Sequence, residues 1–444
     1  MKKISTKLLS IVLVAVMLCS LTACNGAGGQ SAGAKKDTES EQATISATNL
    51  MKDIEKDVSI NPEINDEICG NGVPNNPEGA VASFAIKLFQ QSIQEGENTL
   101  ISPLSIVTAL AMTANGAKND TLYQMENVFD THISGLNGYL SEYVEGLPQG
   151  DKYKLKLANS IWFSKAENFT VNQEFLQKNA NYYGADIYEA EFNDETLKDI
   201  NLWVEQKTDG MIKDVLDKIA PDAVMYLINA LAFEAEWAST YEESQVRDGI
   251  FTTENGTEQS VEMMYSEESF YLENEQSTGF IKHYAGRKYA FVALLPKEGI
   301  TVTQLVDGLS GARLQKLLDN PQMVTVKAAI PQFETEYSVL LNDVLREMGM
   351  EDAFHEVRAD FSGLGESADG NICINRVIHK TYITVGPQGT KAGAATVVEM
   401  KAECAPAEPM ESKTVYLDRP FVYMLIDCEN NQPFFIGTMM SVIK

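Results

Sequence analysis

Apolar positions along the chain follow two different periods. VASFAIKLFQQSI (81–93) turns Phe84, Ile86, Leu88 and Phe89 toward one side, which predicts an amphipathic helix. SPLSIVTALAMTANGA (102–117) is apolar almost throughout and predicts a buried helix. Ser102 can cap that helix, Pro103 suits its first turn and Gly116 ends it. Helical patterns also run through 197–216 and 337–350. Strand patterns appear in YKLKLANSIWF, VMYLINALAF, KYAFVALLP, MVTVKAAIPQF, KTYITV, FVYMLID and PFFIGTMM. Helices lead early and strands dominate late, with no regular strand–helix–strand alternation and no internal repeat. That order predicts an α+β fold with mostly antiparallel sheets in one large domain.

The first residues follow neither period. MKKISTK is basic, LLSIVLVAVML is apolar and SLTAC has small residues ending in a cysteine, so 1–23 predicts an export signal. The apolar run is too short to span a bilayer. LTAC resembles the bacterial lipobox, in which cleavage precedes a cysteine that then carries lipid; here that residue is Cys24. NGAGGQSAGAKKDTESEQATISA has almost no large apolar side chain, and PEINDEICGNGVPNNPEG keeps breaking with Pro, Gly and Asn. Residues 24–76 therefore read as a lipidated cysteine and flexible tether, with an end-to-end distance of roughly 35–45 Å. The folded domain is expected over 77–444. The expected location is the bacterial cell surface, through the lipid anchor only, or the medium after release.

Charge and cysteine usage narrow the partners. The net charge is −28, and −31 once the three lysines of 1–23 are removed with the signal. Such a chain repels nucleic acid and anionic lipid. Cys69, Cys373, Cys404 and Cys428 show no metal-binding spacing, so free thiols and no metal are expected, with Cys428 in the core. Enzymatic motifs are missing as well: there is no HExxH, GxSxG, P-loop or dinucleotide glycine pattern. The four histidines, His132, His283, His355 and His379, have no local partner suggesting a catalytic set. The chain reads as a non-enzyme without a cofactor.

One segment is ambiguous. In 390–402, one parity holds Thr390, Ala392, Ala394, Thr396, Val398, Met400 and Ala402. The other holds Lys391, Gly393, Ala395, Val397, Glu399 and Lys401, and so carries every charge. A strand would bury the first set and wet the second. KAECAPAEPMESKT then follows, with two prolines and little apolar bulk, and cannot continue a central strand. A strand-capable segment thus runs into an exposed loop.

Taken together, the blocks resemble a serpin. NTLISPLSIVTALAMTANGAKNDTLYQM (98–125), LKLANSIWF, INLWVEQKTDGMIKDVL, LINALAFEAEW, VTVKAAIPQFETEYSVLLNDVLREMGMEDAF, RADFSGL, VIHKTYITV, GTKAGAAT and RPFVYMLID stand in that family's order, covering about 77–444. The resemblance implies three sheets with eight or nine helices and an exposed reactive loop at about 387–413. It implies a monomeric inhibitor of extracellular serine proteases. The protease cuts the loop and forms an acyl-enzyme. Residues 389–402 then insert into the main sheet and distort the protease. The alternative is a non-inhibitory serpin acting as a binding module.

The resemblance also assigns residues. Gly389, Thr390, Ala392, Gly393, Ala394, Ala395 and Thr396 match the hinge. Ser102, Ser105, Asn229 and His379 match a polar cluster beneath the sheet opening, and Trp237 the aromatic where insertion starts. The family's usual distance from the hinge implies a reactive bond at Glu403–Cys404, or at Ala402–Glu403. Such a bond suits a Glu-specific, elastase-like or subtilisin-like protease, or a cysteine protease. Pro387 and Gln388 stand where the family has acids, and Lys391 where it has another, so the anchoring of the uncut loop is expected to be weakened.

Overall fold

The computed structural model describes residues 44–57, 76–165, 169–220, 223–367, 371–390 and 412–442. Three sheets and nine α-helices make up the regular structure of these residues, an α+β architecture. The sheet that matters most has seven strands. From one edge to the other they are Thr48–Asn49, Asp186–Ala190, Tyr153–Ser164, Met225–Glu236, Gly389–Thr390, Arg376–Gly386 and Phe333–Leu340. A nine-stranded sheet includes Glu258–Glu273, Ser277–His283, Tyr289–Pro296, Phe421–Asp427 and Pro433–Met439. A small third sheet pairs Phe169–Val171 with Gly365–Ser367.

The near-uniform apolar character of 102–117 has a direct structural reason. Helix Pro103–Ala114 is buried at all twelve positions and packs on both Met225–Glu236 and Pro433–Met439. Ser102 caps it by accepting from the Ser105 N–H. The opposite face of the seven-stranded sheet is covered by helix Asp194–Lys207, which lays Ile200, Trp203 and Val204 on Trp162, Tyr226, Ile228 and Ile378. Each such side chain contributes about 1.5–3 kcal/mol by leaving water. Strand Met225–Glu236 is therefore buried on both faces as far as Phe233, whereas Arg376–Gly386 leaves Lys380, Tyr382 and Thr384 half-buried on the helix side.

Three sequence expectations are corrected. The helical pattern at 197–216 stops at Lys207, because Asp209 and Gly210 adopt left-handed backbone (φ 51° and 79°) and the Gly210 N–H turns back to the Glu205 carbonyl. The pattern at 337–350 begins as strand: Phe333–Leu340 pairs along its whole length with Arg376–Gly386, and only Asn342–Glu347 is helical. Ladder pairing overrides a short stretch of helical periodicity there. Thirdly, residues 44–57 of the expected tether are docked on the domain. Thr48 and Asn49 pair with Glu189 and Tyr188, extending the sheet edge. The Asp199 carboxylate accepts from the Ser46 N–H, the Ser46 hydroxyl at 2.6 Å and the Ala47 N–H at 2.8 Å. Leu50, Met51 and Ile54 pack against the core. These three apolar residues lie within NLMKDI, where the polar average of the whole stretch hides them.

Candidate functional site

The two central strands of the seven-stranded sheet, Met225–Glu236 and Arg376–Gly386, run parallel. They pair directly from Tyr226↔Arg376 to Leu231↔Thr381 and then part. Gly389–Thr390 enters the opening, antiparallel to both neighbours. Gly389 faces Gly386 and Glu236, and Thr390 faces Val385 and Ala235. The segment after Gly386 thus folds back through a turn at Pro387–Gln388 and starts a new strand between the two.

Close approach dictates glycine at 389: a Cβ there would lie 2.0 Å from the Ala235 carbonyl oxygen. Thr390 is fully buried, and its hydroxyl hydrogen-bonds that of Tyr284. Tyr284 in turn stacks flat on Trp237, with ring centroids 4.4 Å apart. Trp237 donates its indole N–H to the Gly386 carbonyl at 2.8 Å and its backbone N–H to the Gln388 carbonyl at 2.9 Å. The Tyr241 N–H donates to the Pro387 carbonyl at 2.9 Å. Three successive carbonyls of the turn are held by one segment, 237–241. With Pro387 and Gln388 in place the turn is thus held through its main-chain carbonyls, while Lys391 and the loop after it lie outside the described residues.

Lower in the sheet, where the central strands are still paired, a buried polar chain crosses both. The Ser102 N–H donates to His379 Nε2 at 2.9 Å. That nitrogen must therefore be unprotonated, and His379 Nδ1–H donates to Asn229 Oδ1 at 2.7 Å. Asn229 Nδ2–H donates on to Asn159 Oδ1 at 3.0 Å. Burial pushes the His379 pKa from 6.5 down to about 3, so the ring is neutral and its tautomer fixed. Such a ring is a strut between strands.

Ser102, Asn229 and His379 are thus brought together. Ser105 belongs only through its backbone N–H, because its buried hydroxyl makes no hydrogen bond. Cys373 is buried and free; Cys428, expected in the core, is only half-buried and free, with its thiol pushed up to about 12 by burial. Ala392, Gly393, Ala394, Ala395 and Thr396 of the hinge, Ala402, Glu403 and Cys404 of the reactive bond, and Cys24 lie outside the described residues.

Sequence reading missed Asn159, Tyr241 and Tyr284. For Asn159 a signal existed: both LANSIWF and LINALAF place an asparagine inside a largely apolar strand. The two tyrosines look like ordinary core residues until the turn is seen resting on them.

Comparison with known proteins places the fold. The family model described as serpin (serine protease inhibitor) matches residues 79–442. The crystal structure of the thermophilic serpin tengpin in its native state superimposes with a TM-score of 0.81 at 46% identity, covering 89% of this chain and 99% of that one. An uncharacterized serpin-like protein of Thermococcus kodakarensis is 33% identical, covering 82% of this chain and 85% of its own length. Human Serpin B8 is 31% identical, covering 82% of this chain and 98% of its own. The chain belongs to the serpin family, the serine protease inhibitors.

Proposed function

We propose that this chain inhibits an extracellular serine protease as a suicide substrate: the loop beyond Thr390 is cut, an acyl-enzyme forms, and 389–402 inserts between the central strands. The observation that carries this reading is the pairing of Gly389 and Thr390 with both of those strands. In this reading those two pairs are the first rungs of the insertion and set its register.

Stepping down that register, residue 394 faces Leu231 and Thr381, and residue 399 faces Tyr226 and Arg376. Those are the two ends of the existing direct pairing, so the same register satisfies both neighbours without a slip. Residues 392, 394, 396 and 398 share the buried side of Thr390. They are Ala, Ala, Thr and Val, small enough to enter on the buried side of the sheet. Thr396 arrives between Asn229 and His379, where a hydroxyl can replace part of the bond that insertion breaks. Val397 arrives between Ile228 and Ile378, beneath helix Asp194–Lys207. Lys391 comes opposite Glu234, and Glu399 opposite Arg376. The parity thus puts the uncharged set on the buried side and brings Lys391 and Glu399 each opposite a charged neighbour, although Glu399 also comes beside the buried Tyr226.

The test is thermal unfolding before and after nicking the loop. Insertion predicts that nicked protein unfolds at a clearly higher temperature than intact protein. A nicked chain with an unchanged or lowered transition contradicts it. The reactive bond in this reading is Glu403–Cys404, or Ala402–Glu403. The Cys24 anchor, holding the inhibitor at the cell surface, is tested separately by incorporation of labelled palmitate, expected in the wild type and lost in Cys24→Ser.

A further inference from the structure

Lys282 is a buried cation that none of the above uses. It lies on Ser277–His283 in the nine-stranded sheet, with a side chain only 3% exposed. A buried ammonium is costly unless its surroundings compensate it fully. Glu268 supplies one partner, at 2.8 Å from Nζ. Among the described residues, the ammonium's other hydrogen-bond and ring contacts come from a single segment. Nζ is 5.3 Å from the centroid of the Trp237 ring and 4.5 Å from that of Tyr241, and lies 3.4 Å from the Ser239 carbonyl oxygen. Residues 237, 239 and 241 thus each present a ring or a carbonyl to one charge.

These are the same residues whose N–H groups hold the turn. Trp237 grips the carbonyls of Gly386 and Gln388, and Tyr241 that of Pro387. We propose that Lys282 is a positioning residue for the hinge: its ammonium organises 237–241, and that segment holds the 386–388 turn where Gly389 and Thr390 enter the sheet. An ion pair serving only charge balance would need Glu268 and nothing from the rings. The role in inhibition rests on the insertion mechanism proposed above; the role in holding the turn does not.

Amide hydrogen exchange on the uncut, full-length protein tests this. Four proteins are compared: wild type, Lys282→Met, the double variant Lys282→Met with Glu268→Gln, and Lys282→Arg. The Trp237 and Tyr241 amides are expected to exchange at least tenfold faster in both Met variants. Amides of Tyr289–Pro296 should be unchanged, and Lys282→Arg, which keeps the charge, should stay within threefold of wild type. The double variant carries no unpaired charge, so restored protection there would reduce the residue to charge balance and overturn the proposal. Unchanged exchange in Lys282→Met would overturn it too, as would acceleration spread evenly over the molecule.

A second readout is the number of inhibitor molecules consumed per protease trapped, expected to rise severalfold in both Met variants. If wild type traps no protease, the insertion mechanism fails, while the exchange data still decide the role of Lys282 at the turn.

Discussion

Lowering the pH from 7 to 5 is expected to weaken this fold by about 2 kcal/mol through His379 alone. The ring is buried and accepts from the Ser102 N–H, so it must stay neutral, and its pKa falls from 6.5 to about 3. Between those values the unfolded chain binds a proton that the folded chain refuses. The contribution is therefore complete above pH 6.5 and is lost as pH falls toward 3. At 1.36 kcal/mol per pH unit the whole window is worth about 4–5 kcal/mol, with about 2 of it gone by pH 5. His283 is shifted the same way, by burial and then by Arg287, so the comparison belongs in a His283→Gln background. Adding His379→Gln supplies an oxygen that can accept from Ser102 and does not titrate. The assay is urea unfolding at pH 7, 6 and 5, with the His379 ring followed by NMR. The loss of about 2 kcal/mol should appear in the background protein and shrink to within about 0.5 kcal/mol in the His379→Gln protein. Equal pH slopes in the two proteins, or a His379 ring titrating above pH 5, would refute the reasoning.

Other consequences concern the hinge, the inserted strand and the docked N-terminal segment. Thr390→Arg puts an unpaired charge at a fully buried position, a penalty of several kcal/mol; the loop should still be cut while trapping, measured as covalent complex per cleavage, falls by at least about a hundredfold. Glu399→Lys should lower the unfolding temperature of the loop-nicked protein by a few degrees, about 1 kcal/mol for a like-charge pair facing Arg376, and Arg376→Glu should restore it in the double variant. An effect of equal size without rescue would contradict the register. Asp199→Ala removes the acceptor of three donors from Ser46 and Ala47 and should cost about 1–3 kcal/mol. In that variant the Leu50 amide, bonded to the Ile187 carbonyl, should lose its exchange protection; retained protection would show that the docked segment holds without it.

What could be read from the sequence depended on how local the physics is. Helix Pro103–Ala114, with its Ser102 cap, and the apolar strands are each determined by a dozen adjacent residues, and their patterns were visible. The polar residues of the strut were visible too, because Asn229 and His379 interrupt apolar strands, though their pairing across 150 positions needed the sheet register. Of the hinge clamp only Trp237 was legible, through the serpin resemblance. Trp237, Tyr241, Tyr284 and Lys282 come from two segments that meet the 386–390 turn only in the folded molecule, and each alone looks like a core aromatic or a strand lysine. Main-chain anchoring is invisible in principle to a reading of side chains, which is why Pro387 and Gln388 looked like a weakness. The docked segment at 44–57 was missed for a different reason: its few apolar residues sit in a stretch whose average composition is that of a linker.

In the proposed mechanism, cleavage leads to capture. Its most direct measurement mixes the protein with elastase-like, subtilisin-like, trypsin-like and Glu-specific serine proteases, resolves the products in SDS, and sequences the C-terminal peptide released. The expected products, with at least one protease, are a covalent band resistant to SDS and a peptide beginning at Cys404 or at Glu403. Clean cleavage at that bond with every protease, and no covalent band with any, would contradict the mechanism.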